Sequence, residues 1–351
     1  MSAESFVLHT TNKERVSFSF YGLIYSFKII LFPIQCWFID FFSFKEKNKI
    51  LKIIIKFLKL YLLFCCLEFI FKNIFQSELL YEIQQFFFGI VSATQSEIRY
   101  RGLLASLQGL TKEPSYFVAQ LMIVGLFFVA DEKINSSNNK KWYGLIFLLS
   151  LISMSFSSIL FIFNFIFLLL YAKNNLKIAL KKMFLIVMVC SIFSLTGLIY
   201  FMGLDTYLSR LTIVLNILPL IINGYYFETH DISIASRLYT IIDSINIFLD
   251  RILLGIGFGN VNCMAVVWEF LASCGLLIFV FYLFSGPFSL KNFNKDTYTA
   301  YFICLIPYLF TGGENPFITL QGLMTVFAIG LIFNSEVRNN AKLNIDYNSR
   351  L

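Results

Sequence analysis

The run Lys140-Lys-Trp-Tyr-Gly-Leu-Ile-Phe-Leu-Leu-Ser-Leu-Ile-Ser153-Met-Ser-Phe-Ser-Ser158-Ile-Leu-Phe-Ile-Phe-Asn-Phe-Ile-Phe-Leu-Leu-Leu-Tyr-Ala-Lys173 decides the fold. No charged residue lies between its flanking lysines. One membrane-spanning helix needs about 20 mostly apolar residues, and this run is longer. Ser153-Met-Ser-Phe-Ser-Ser158 interrupts it near the middle. Read as a hairpin of two spans, 141–155 and 156–173, the run returns to the side it left. Read as one span, it would place Lys140 and Lys173 on opposite sides. The hairpin is the reading that keeps the lysines together, although each half is short for a full crossing.

The rest of the chain follows the same pattern. Further apolar stretches lie near 17–42, 53–75, 115–131, 183–202, 263–284, 297–311 and 316–334. The last two are split by Thr311-Gly-Gly-Glu-Asn-Pro316, where Gly and Pro break the helix. The whole sequence is 58% hydrophobic and only 14% charged, which excludes a disordered chain, a coiled coil and an ordinary soluble enzyme. A mean hydropathy of +0.74 agrees. The expected fold class is all-α: a polytopic transmembrane helical bundle of about nine or ten spans. It forms a single integral membrane domain over 1–351. The net charge of +7 invites a nucleic-acid partner, but the apolar composition overrides it. The cysteines, such as Cys65, Cys66, Cys190 and Cys304, sit in apolar runs without metal-ligand spacing. They read as small buried hydrophobes. The polar opening, Met1 to Arg15, shows no cleavable signal peptide.

Lysine clusters set the orientation. They fall at Lys45/Lys47/Lys49/Lys52, Lys133/Lys140/Lys141, Lys173/Lys177/Lys181/Lys182 and Lys291/Lys295, all on one side of the expected spans. The positive-inside rule makes that side the cytoplasm. Two long outer segments result, 76–114 and 203–262, the second a large loop with short helices. The N-terminus falls outside, unless a hairpin within 17–42 brings it in.

The first outer segment carries Arg99-Tyr-Arg101-Gly102 and then Gly109-Leu-Thr-Lys-Glu113-Pro114-Ser115, a helix start. Glu113 has two readings: a complement to the helix dipole, or a carboxylate held at the membrane boundary near the arginines. The second contains Arg210, His230, Asp231, Arg237, Asp243, Asp250 and Arg251, and no lysine. Residues 236–250 have helical apolar spacing, ending at Asp250-Arg251. Gly255-Ile-Gly257-Phe-Gly259 is GxGxG rather than the dinucleotide-binding GxGxxG, and no strand precedes it; a turn back toward the membrane is the reading it supports.

The outer segments hold five arginines and one lysine, Lys112. Guanidinium grips phosphate or carboxylate through two parallel hydrogen bonds. Arginines beside a bilayer suit an anionic lipid headgroup such as a pyrophosphate; the plainer alternative is that each pairs with a local Asp or Glu. Within the spans stand Lys28, Glu68 and Glu269, and ionisable groups there are functional candidates. Lys28 can snorkel, or serve as the partner of Glu68. Glu269 lies early in its span, on the outer side, near the Gly255–Asn260 turn.

Three ordered pieces carry a resemblance. They are Arg101-Gly102 with Gly109-Leu-Thr-Lys-Glu113-Pro114-Ser115; Ser236-Arg237-Leu with Asp250-Arg251-Ile-Leu-Leu-Gly255-Ile-Gly257-Phe-Gly259-Asn260; and Trp268-Glu269-Phe-Leu-Ala-Ser-Cys-Gly275-Leu-Leu. Together, over roughly residues 95–335, they resemble Wzy-type O-antigen polymerases of the bacterial inner membrane. The related O-antigen ligases share the architecture. The chain departs from the ligase pattern, which has a His-Asn pair shortly before the glycine matching Gly275; here the stretch is Asn262-Cys-Met-Ala-Val266. It also has fewer spans than such polymerases usually do, with the missing ones expected at the N-terminal end.

The resemblance implies glycosyl transfer at the outer face between undecaprenyl-pyrophosphate-linked glycans, without metal or other cofactor. Membrane lipids and a chain-length regulator are the implied partners, with no nucleic acid. Pyrophosphate contact is expected of Arg237 first, then Arg101, Arg99, Arg251 and Arg210. The general base is sought among Glu113, Glu269, Asp243 and His230. Two rivals stand: a lipid-linked oligosaccharide flippase and a non-catalytic subunit of an envelope complex. Transporters tend to have internal repeats and helices broken at the midplane, and the sequence suggests neither.

Overall fold

The structure is a computed structural model. It describes residues 20–75, 100–101, 104–105, 107, 114–153, 156–195, 232–257, 265–290, 293–311 and 319–333; of 20–26, 100–105, 114–115, 156–157, 189–195 and 232–237 it describes the backbone alone. Ten α-helices occur among the described residues: α1 (Phe20–Phe41), α2 (Phe44–Asn73), α3 (Pro114–Asn135), α4 (Lys140–Ile152), α5 (Phe156–Lys173), α6 (Leu176–Leu195), α7 (Ile232–Asp250), α8 (Val266–Ser285), α9 (Lys295–Leu305) and α10 (Leu320–Ile332). One small antiparallel ladder joins β1 (Tyr100–Arg101) to β2 (Leu104–Ala105). The fold is all-helical in substance.

The chain divides into two compact units. The first comprises 36–183, 290–307 and 320–351. Its centre is α3, which is apolar around its whole circumference and buried from Phe117 through Asp131, apart from Gln120. A helix without a polar face must be covered on all sides. Helices α2, α4, α5 and α10 pack around it, and α9 closes against α5 and α10.

Local chemistry sets the helix ends. Ser43 starts α2 through a capping box: its Oγ accepts from Glu46 N (3.3 Å), and Glu46 Oε2 accepts from Ser43 N (2.7 Å). The helix therefore begins well before the apolar stretch at 53. The serine break falls where expected. After α4 ends at Ile152, Ser153 Oγ donates to Ser150 O (2.7 Å) and lies 2.9 Å from Ser158 Oγ, which closes the hairpin.

The lysine-bearing ends of this unit share one end of the bundle. Asn135 Nδ2 donates to Asn48 Oδ1 (3.0 Å) and to Asp131 Oδ1 (2.9 Å). Glu132 accepts from Tyr143 Oη (2.7 Å) and Lys173 Nζ (2.9 Å). Tyr171 Oη donates to Asp296, and Lys133 Nζ to Ile332 O. These bonds join the regions of Lys45–Lys52, Lys133–Lys141, Lys173 and Lys295, as the alternation of spans requires.

The second unit comprises 1–35, 184–289 and 308–319. Here α7 packs on α8, and Phe32 of α1 stacks on Tyr282 of α8 at 5.3 Å. The hairpin alternative within 17–42 is not adopted: Phe20–Phe41 is one helix with Pro33 inside it.

Among the described residues one stretch, Val266–Ser289, is long and apolar enough to cross a membrane; Ser158–Lys173 and Leu320–Ile332 are apolar but shorter. Helix α9, with 11 residues, extends about 17 Å, well under a hydrocarbon core of about 30 Å. Large apolar side chains point outward on many helices, among them Phe57 (66% exposed), Phe184 (68%) and Phe281 (70%). On α2 the exposed line Ile53, Phe57, Leu60, Leu63 and Leu67 lies opposite the buried line Leu51, Ile55, Leu62 and Cys65. An exterior of this kind is foreign to a water-soluble surface.

Candidate functional site

Helix α8 is interrupted halfway. Gly275 has φ +71° and ψ 172°, so the helical bonds from Leu276 N to Ala272 O and from Leu277 N to Ser273 O are absent. The sequence suggested no broken helix, and the break at Gly275 corrects that. The segment just after α7 bonds to these four groups. Ile256 N donates to Ala272 O (3.0 Å) and Gly257 N to Ser273 O (2.8 Å). Leu276 N donates to Ile252 O (2.6 Å) and Leu277 N to Leu253 O (3.2 Å). Residues 252–257 are thus spliced into the gap of α8. In an apolar setting, unsatisfied backbone groups would be costly, so a break persists only where another segment fills it.

Two glycines make the splice possible. Gly255 (φ +62°) lies so close to α8 that a β-carbon there would come within 2.6 Å of the Ala272 and Ser273 carbonyls. At Gly275 a β-carbon would strike the Leu253 backbone. Each glycine therefore combines a left-handed φ with contact against the other strand's backbone. Of the glycine run, Gly255 and Gly257 are described, both with positive φ, and they form one half of a joint.

Around the splice, Ile247 of α7 packs with Ala265 and Ala272, supported by Ile241, Phe248, Ile256 and Trp268. Thr240, Ser244 and Ile247 form the buried line of α7. By helical spacing the positions of Arg237 and Asp243 flank this line on opposite edges. Asp243 is half-buried and Arg251 is exposed just past the end of α7. Glu269 lies in the first turn of α8, between Trp268 and the buried Phe270. It is half-buried, and its carboxylate has no hydrogen-bond or ion-pair partner among the described residues.

The structure brings the second and third motif pieces together: Asp250–Gly257 is joined to Trp268–Leu277 by main-chain bonds. The backbone of Arg101 lies in β1, opposite Leu104, in the other unit. The remaining sequence candidates, Glu113, Arg99, Arg210 and His230, lie outside the described residues. No group of three His, Cys, Asp or Glu side chains gathers among the described residues.

One feature escaped the sequence reading. Glu68 meets Lys72, with Nζ and Oε1 2.7 Å apart and both side chains buried. The signal was available, because Glu and Lys four residues apart on a helix are neighbours. Lys28, the partner suggested from sequence, is exposed. No family model, curated protein or solved structure matches the chain.

Proposed function

We propose that this chain is a multi-pass inner-membrane O-antigen polymerase that joins undecaprenyl-pyrophosphate-linked repeat units at the periplasmic face. The observation that carries the reading is the splice: the motif pieces around Asp250–Gly257 and Trp268–Gly275, far from obvious partners in sequence, lock together by four main-chain bonds. The joint holds Glu269 and the end of α7 in one rigid neighbourhood. The apolar exterior and the common end of the lysine clusters support the membrane topology of nine or ten spans.

In the proposed reaction the bond from the donor's anomeric carbon to the pyrophosphate oxygen breaks. The acceptor hydroxyl oxygen forms a new bond to that carbon, its proton passes to a carboxylate, and pyrophosphate leaves on its lipid. Charge grows on the leaving group, so fixed cations lower the barrier. Arg237 is assigned to pyrophosphate, with Arg251, Arg101, Arg99 and Arg210 in support. Glu269, beside the splice and without a partner among the described residues, is put first as base candidate; Glu113, Asp243 and His230 are the others.

A second reading draws on the same helix. Lipid-linked oligosaccharide flippases are transporters, and helices broken at the midplane are a transporter feature. The gap in α8 is filled by backbone from its own unit, which suits a fixed joint better than an open binding site. A deletion strain complemented with Arg237→Ala separates the two. The polymerase reading expects lipopolysaccharide with a single repeat unit, whereas a flippase defect leaves none. Full ladders from Arg237→Ala would refute the assignment of Arg237.

A further inference from the structure

Helix α2 carries a buried charge pair where its packing needs none. Its protein-facing line runs Lys47, Leu51, Ile55, Leu62, Cys65, Glu68 and Lys72. Glu68 is 0% exposed and Lys72 5%. Desolvating two charges is expensive, and apolar side chains of similar volume often replace a buried pair without loss. In membrane segments such groups face the interior of the bundle and mark function.

The pair's depth follows from two contacts between α2 and α3. Asn48 meets Asn135 near the lysine-bearing end, and Tyr61 Oη donates to Gln120 Oε1 (2.9 Å) further along. The helices are therefore antiparallel, and each step up α2 matches a step back along α3. Glu68 lies about 10 Å beyond Tyr61. That puts it level with Pro114, the first residue of α3. The β2 strand, paired to the strand that holds Arg101, packs against α2 as well. The Glu68–Lys72 pair thus sits at the opposite end of the bundle from the lysine clusters, level with the start of α3 in the first motif piece.

Resting on the polymerase reading, we infer that Glu68 and Lys72 are positioning residues of the outer-face site. On this inference they fix the field of α2, the helix on which β2 packs, for an anionic pyrophosphate headgroup. The polarity matters, with the anion at position 68 and the cation one turn nearer the outer end.

The charge-reversed variant Glu68→Lys/Lys72→Glu tests this, because it keeps an i,i+4 ion pair. Lys72→Arg serves as the conservative control. Two readouts are taken on full-length protein: binding of undecaprenyl pyrophosphate to purified protein in nanodiscs, and the polysaccharide ladder in the complemented deletion strain. The expected result is a reversed pair that melts like wild type, binds roughly tenfold or more weakly and makes no ladder, with Lys72→Arg near wild type. Wild-type binding and ladder in the reversed variant would overturn the inference while leaving the polymerase reading intact. Loss of melting temperature and ladder in proportion would also overturn it, as a structural pair. A deletion strain that lacks every repeat unit would refute the polymerase reading, while the binding result would still judge the pair.

Discussion

Gly275 is the residue on which the most structure depends. Its φ of +71° is open to glycine, and the Leu253 backbone occupies the space a β-carbon would need. Gly275→Ala should therefore lower stability by at least about 2 kcal/mol, because left-handed strain and a backbone clash add. Gly255→Ala should behave alike, since the Ala272 and Ser273 carbonyls block it. Melting temperatures of the purified variants check this; an unchanged value at both positions would mean that the splice is not formed. Glu269 is a separate matter of chemistry. Glu269→Gln keeps the shape and removes the base, so the ladder should shorten to single repeats, with a rate loss of roughly a hundredfold or more. A normal ladder at wild-type protein level would shift the role to Glu113, Asp243 or His230. The sequence exposed Glu269 as a carboxylate in an apolar run, but not that it has no partner among the described residues, which depends on what α7 brings alongside.

At the scale of elements, helix boundaries were legible where side chains cap or break them. Ser153 and Ser158 marked the α4–α5 turn, Pro114 the start of α3, and Asp250-Arg251 the end of α7. The break in α8 was not legible. A glycine within an apolar run reads as an ordinary helical residue until the segment that fills the gap is known, and that segment is a long-range partner. The pairing Glu132–Lys173 illustrates the opposite case, a polar tie between α3 and α5 at the ends of the apolar stretches. Burial alone would raise the Glu132 carboxyl, but hydrogen bonds from Lys173 and Tyr143 outweigh it and hold it below the ordinary range. A carboxyl whose folded value is depressed contributes stability above its unfolded value, and loses it as pH falls through the folded value. The tie should therefore be intact at neutral pH and fade below about pH 4.3. Lys173 is 56% exposed, so the contribution is screened and small, under about 1 kcal/mol. Melting curves of wild type and Glu132→Gln should differ slightly at pH 7 and converge near pH 3. A gap that widens on acidification would reverse the assignment.

For the whole molecule, the charge pattern carries more information than helix length. Helix α9 and helix α4 are too short to cross a bilayer unaided, with 11 and 13 residues. Yet the bonds that tie Asn48, Glu132, Lys173 and Asp296 together collect the lysine-rich ends at one end of their unit. A membrane can then sort the molecule by lysine alone, with the opposite end facing out. This predicts which positions a reagent outside the cell can reach. Asn138 and Lys181 are exposed in the lysine-bearing segments of their unit, and Asp250 is exposed at the end of α7, in the segment 203–262 that the proposed topology places outside. Cysteine placed at Asp250 should react with a membrane-impermeant maleimide on spheroplasts, whereas cysteine at Asn138 or Lys181 should react after the membrane is opened. Of the seven native cysteines, Cys36, Cys65, Cys274 and Cys304 are buried; Cys66, Cys190 and Cys263 are replaced by serine in the labelling background. Labelling of Asn138→Cys from outside would invert the topology.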